Sequence, residues 1–100
     1  MAKSLTELTD DMQRFVQAKG WDRAGSRRPQ TLRNLAVSLS IEAAEVLEHV
    51  QWDEAPADTG AWSRELADVL LYLMQLASLS GVDLEHAVEH KLKENYGRTW

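Results

Sequence analysis

Two acidic pairs constrain this chain more than anything else in it. Glu42 and Glu45 stand at i and i+3 among Leu39, Ile41, Ala43, Ala44, Val46, Leu47 and Val50. Glu65 and Asp68 repeat that spacing just ahead of the apolar run from Val69 to Leu73. On a helix, i,i+3 spacing puts both carboxylates of a pair on one side. An unpaired buried carboxylate costs roughly several kcal/mol, so acids in this setting need a compensating positive charge. Two such helices face to face gather four carboxylates. All-oxygen ligation by Glu42, Glu45, Glu65 and Asp68 suits a hard cation, Mg²⁺ or Mn²⁺.

The rest of the chain reads as helix and loop, with no strand pattern. Ser4-Leu5-Thr6-Glu7 fits a capping box, and Leu5, Leu8, Met12, Phe15 and Val16 follow at helical spacing. Gly20 stops this first helix, predicted over about Leu5 to Lys19. Residues 21–30 hold Gly25, Ser26, Pro29 and three arginines, and form a loop in which Trp21 packs as a lid. Arg23, Arg27, Arg28 and Arg33 make the one local positive cluster before the acidic stretch, read as a solvated loop and helix start. Thr31 caps a second long helix, whose latter half is read as Ile41 to Trp52; His49 on it reads as a surface or interface histidine. Pro56 and Gly60 mark a turn-rich connection. A third helix runs from near Thr59 or Ala61 to Leu79, and a fourth from an Asp83 cap to about Tyr96. On the fourth, Lys91 and Asn95 stand at i,i+4, with Arg98 one step further along the same side.

Composition narrows the function. One hundred residues predict one domain, 1–100, with a limited core. Helices apolar on nearly every face predict a partner chain, a homodimer or a homotetramer built from dimers, with the second and third helices inside the interface. The formal net charge of −5 and the lack of a large basic patch disfavour nucleic acid. The chain has no cysteine, which excludes disulfides, zinc thiolates and a thiol nucleophile. No secretory segment opens the chain and no apolar run reaches the ~18 residues of a membrane span, so the expected location is the cytoplasm.

Taken together, these residues resemble the MazG-like, all-α nucleoside triphosphate pyrophosphohydrolases. Glu42-Ala-Ala-Glu45 followed by Glu65-Leu-Ala-Asp68 is similar to the family's Glu-x-x-Glu…Glu-x-x-Asp signature. Asn34 to Glu42, Gln51-Trp52 and Asp68 to Leu73 look like the short single-domain members that include the dCTP pyrophosphatases, and Lys91-x-x-x-Asn95-x-x-Arg98 resembles their C-terminal motif. The resemblance implies a four-helix domain in an oligomeric bundle, acting on a (deoxy)nucleoside triphosphate to give monophosphate and pyrophosphate. It implies that Glu42, Glu45, Glu65 and Asp68 are the catalytic, Mg²⁺-holding residues; one of these carboxylates, Glu45 among the candidates, accepts the proton of the attacking water, and the sequence does not assign which. It further implies that Lys91, Asn95, Arg98 and Tyr72 contact phosphates, that Trp21 and Trp52 line the base pocket, and that dCTP or a modified pyrimidine nucleotide is the substrate. Gln30-Thr31-Leu32 departs from the family's His-x-Pro at the entry to the second helix, and Thr99-Trp100 departs from its aromatic-proline. The alternative is a non-catalytic helical interaction module whose acids pair with arginines across an oligomer interface. A di-iron bundle is disfavoured, since no Glu-x-x-His occurs beside the acids.

Overall fold

The structure is a computed structural model and describes residues 2–99; Trp100 lies outside the described residues. Four helices follow one another: α1 (Leu5–Lys19), α2 (Leu32–Glu48), α3 (Thr59–Leu79) and α4 (Leu84–Tyr96), with no strand among the described residues. The expected all-α class is what forms.

Each helix begins where a side chain can take up its free backbone donors. Ser4 and Glu7 close a reciprocal capping box on α1, each side chain accepting from the other's backbone N–H at 3.1 Å. Thr31 accepts from Asn34 N–H, Asp58 from Ala61 N–H and Asp83 from His86 N–H, at 3.0–3.1 Å. Gly20 ends α1 at φ +71, a left-handed conformation that a side chain would strain. The N–H groups of Gly20 and Trp21 return to the carbonyls of Gln17 and Val16, which swings Trp21 back over α1.

The end of α2 differs from expectation. The helix stops at Glu48, with His49 as its cap, and Val50 and Gln51 continue only as i→i+3 turns. Glu48, Asp53 and Glu54 put negative charge at the negative end of the helix dipole, and Pro56 prevents recovery of helical hydrogen bonding. Trp52 therefore sits in the connecting loop, 85% exposed, beyond the helix.

The α2–α3 contact is the most extensive, α1 lies on α3, and α4 touches α1 and α3 but not α2. Met12, Val16 and Met74 form the core, with Leu5 and Leu84 packed against it, and Leu35 and Ala77 are buried nearby. Gln13 bonded to Ser78, and Thr6 bonded to Glu85 at 2.8 Å, tie α1 to α3 and α4. Much apolar surface stays uncovered: Val37, Ile41 and Leu47 on α2, and Leu66, Leu70 and Leu73 on α3, are all exposed. Among the described residues, no single helix is long and apolar enough to cross a membrane.

Candidate active site

Helix α2 turns Glu42 and Glu45 toward α3, and α3 answers with Glu65. One carboxylate oxygen from each lies within 4.8 Å of the others. No lysine or arginine forms an ion pair with these three among the described residues; the group that approaches them is His49, whose Nε2 is 3.9 Å from Glu65 Oε1. The imidazole is half-buried and meets the Trp62 ring edge-on, with centroids 5.9 Å apart. Glu42 Oε2 and Glu65 Oε2 are sealed from solvent and accept no hydrogen bond. Burial, then the neighbouring Glu45, then the charges of Asp68 and Glu65, raise the Glu42 carboxyl from its ordinary 4.5 to about 7. Converging carboxylates with two sealed, unpaired oxygens are a donor set that fits a divalent cation.

Asp68 stands apart from that trio. It is felt by Glu42 as a nearby charge, but it faces a neighbouring cavity of about 650 Å³ between α1, α2, α3 and the loop 20–31. Trp21 and Phe15 form an aromatic corner of this cavity, their rings edge-to-face at 5.4 Å. Met12, Val16, Leu35 and Leu71 give it an apolar lining, and Tyr72, Asn34, Gln30 and Gln75 add polar groups. Arg27 and Arg28 also line it.

The placement of the expected residues is therefore uneven. Glu42, Glu45 and Glu65 come together, while Asp68, Tyr72 and Trp21 share the adjoining cavity. Trp52 lines neither the cavity nor the carboxylate recess, because α2 ends before it. Lys91, Asn95 and Arg98 also line neither. Lys91 pairs with Glu94 at 3.3 Å, and Asn95 Oδ1 is buried without a partner. Three features escape the sequence. His49 joins the acidic cluster because the cap of α2 turns it toward α3. Arg27 and Arg28 border a cavity where a solvated loop was expected, and nothing in their local sequence signals which way the loop folds. Gln75 lies on the same α3 face as Asp68 and Tyr72, at i+7 and i+3 from them, a spacing that is legible once Asp68 is singled out.

The raised Glu42 pKa predicts a pH dependence for the metal-free protein. Between about 4.5 and 7 the folded state holds a proton that the unfolded chain has released. Stability must then fall as pH rises through that window. Melting in chelator should show a lower Tm at pH 7.5 than at pH 5.5, and Glu42→Gln should flatten that slope. A metal-free Tm that climbs over the same range would contradict the carboxylate crowding.

The described residues thus form an all-α helical domain in which an acidic cluster able to hold a metal ion lies beside an aromatic-cornered cavity. The chain belongs to the MazG-like family, which matches residues 37–99. It is similar to dCTP pyrophosphatase 1 of Bos taurus, 41% identical over 76 residues, and of Homo sapiens, 37% identical over 75 residues. Each alignment covers 66% of this chain and 44% of the relative, so the aligned region spans less than half of the curated relatives' length. A pyrophosphatase from Archaeoglobus fulgidus DSM 4304 shares the fold, with a TM-score of 0.76 and 33% identity over 95% of this chain and 91% of that one.

Proposed function

We propose that this chain is a Mg²⁺-dependent nucleoside triphosphate pyrophosphohydrolase, releasing monophosphate and pyrophosphate from a (deoxy)nucleotide. The observation that carries the reading is the adjacency of the Glu42–Glu45–Glu65 cluster and the Trp21 cavity, with Asp68 between them. The names of the relatives support it. Residues 1–100 are read as a single domain, a reading supported by the breadth of the structural likeness.

Glu42, Glu45, Glu65 and Asp68 would hold the cation. Bound Mg²⁺ supplies neutralisation of phosphate charge and a bound water of lowered pKa. The protein does the rest. The His49 imidazole stands 3.9 Å from Glu65 Oε1, next to the proposed cation site. Arg27 and Arg28 at the cavity rim offer donors to phosphate oxygens, and the Tyr72 hydroxyl offers another. Lys91, Asn95 and Arg98 on α4 are proposed as further phosphate contacts on the family resemblance, Asn95 through its Nδ2 donor. Trp21 stacks on the base; Trp52, exposed and outside the lining of the cavity in its own chain, is proposed to join it from a neighbouring copy. A pyrimidine such as that of dCTP, or a modified form, is the proposed base. The rival interaction module would draw its arginines from a partner chain and predicts no metal-dependent hydrolysis, so the metal requirement separates the two readings.

The test is pyrophosphate release from a panel of nucleoside triphosphates with and without Mg²⁺. Release that needs the metal supports the proposal; no release from any of them sinks it.

The exposed apolar faces of α2 and α3 support a homodimer or a homotetramer. Light scattering at micromolar concentration should give two or four times the 11.3 kDa chain mass, and a monomer mass would contradict it. The absence of nucleic acid among its partners and a cytoplasmic location are proposed with the same reading.

A further inference from the structure

We propose that Gln75, held in one orientation by Gln30, selects nucleotides whose base carries an amino group beside a ring-nitrogen acceptor, as cytosine does; the inference rests on the nucleotide-hydrolase reading above. Gln30 Nε2 donates to Arg28 O at 2.7 Å. A carbonyl can only accept, so this bond fixes which end of the Gln30 amide is nitrogen. Gln30 Oε1 is thereby left for α3, where Gln75 Nε2 donates to it. Gln75 cannot reverse its own amide without setting oxygen against oxygen.

One N–H of Gln75 is thus committed, which leaves its oxygen flanked by the second N–H. That oxygen accepts no bond among the described residues and is not among the sealed, unpartnered atoms, so it is open. Both glutamines are half-buried and line the cavity that Trp21 borders. Along α3, Asp68, Tyr72 and Gln75 follow at i, i+4 and i+7 on one face, and Gln75 lies about 10 Å further along the axis than Asp68 at ~1.5 Å per residue. That is comparable to the reach of a nucleoside from its 5′ phosphate to the far edge of its base. A nucleotide with its phosphates at the carboxylates therefore brings its base edge to Gln75. There the open oxygen accepts from the exocyclic N4–H of cytosine, and the second N–H donates to N3. Uracil presents the reverse pattern, a carbonyl oxygen and an N3–H. Gln30 stands where the family resemblance has histidine, so this lock belongs to the sequence in hand.

The experiment measures kcat/KM for dCTP and dUTP with Mg²⁺, in the unaltered chain and in Gln75→Met and Gln30→Met, with circular dichroism melts on each. The unaltered chain should favour dCTP by roughly tenfold or more, because the wrong base leaves polar groups unpaired. Gln75→Met should collapse that ratio toward one. Gln30→Met should lower it as well, by freeing the Gln75 amide to turn, and it carries the test if Gln75→Met fails to fold. Equal rates for the two nucleotides, a preference for dUTP, or a ratio that survives both substitutions would overturn the proposal. Failure to hydrolyse either nucleotide is a failure of the hydrolase reading. In that event the same ratio is read from tryptophan-fluorescence titrations with non-hydrolysable dCTP and dUTP analogues, where equal affinities overturn the Gln75 assignment.

Discussion

Asp68→Asn and Glu45→Gln are each expected to abolish nucleotide hydrolysis, lowering kcat/KM by at least about a hundredfold. Each keeps the shape of the side chain and removes one negative charge from the proposed cation site, and even groups that only orient metal ligands are worth roughly ten- to a hundredfold. The structure adds a contrast between them. Glu45 belongs to the tight cluster with Glu42 and Glu65, whereas Asp68 opens onto the Trp21 cavity. Metal-free Tm should hold or rise in both variants, because Glu42 already sits among too many negative charges. Near-normal turnover at saturating Mg²⁺ would remove the metal-site reading. A steep loss of metal-free stability would make the acids structural.

The second large effect is expected at Trp21. An aromatic stacked on a base contributes ~1–3 kcal/mol, so Trp21→Ala should raise KM for the nucleotide about tenfold or more with a smaller change in kcat. Trp21 is 42% exposed and anchored through its edge contact with Phe15, so its loss leaves the Met12–Val16–Met74 core in place. Trp52→Ala separates the two tryptophans. Trp52 does not line its own chain's cavity, so a raised KM there points to a site completed by a neighbouring copy, and an unchanged KM removes Trp52 from base binding. A Trp21→Ala enzyme with unaltered KM would mean that the cavity does not receive the base.

How much of this was legible in the sequence follows from how local each signal is. The helix starts were readable because Ser4, Thr31, Asp58 and Asp83 act within one turn of themselves. The pairing of Glu42 and Glu45 with Glu65 was readable because i,i+3 spacing sets the face of a helix and the apolar flanks set its burial. The end of α2 was not, because a periodic apolar pattern continues through Val50 while the dipole and Pro56 act against it; Trp52 was misplaced as a result. The roles of Arg27, Arg28 and His49 depend on where a loop and a cap direct side chains in space, and no periodicity encodes that. The surplus of apolar surface was legible from composition alone. It survives in the structure as the exposed Leu66, Leu70 and Leu73 of α3, on the face opposite Asp68 and Tyr72.

The central claim is that the carboxylate cluster and the Trp21 cavity together direct hydrolysis to the Pα–O bond of the α–β phosphoanhydride bridge. Phosphorus NMR of the products formed from dCTP, with Mg²⁺ and again with excess chelator, tests it most directly. dCMP and pyrophosphate in equal amounts are expected with the metal, and unreacted dCTP with the chelator. Release of dCDP and inorganic phosphate, or equal turnover in chelator, would contradict it.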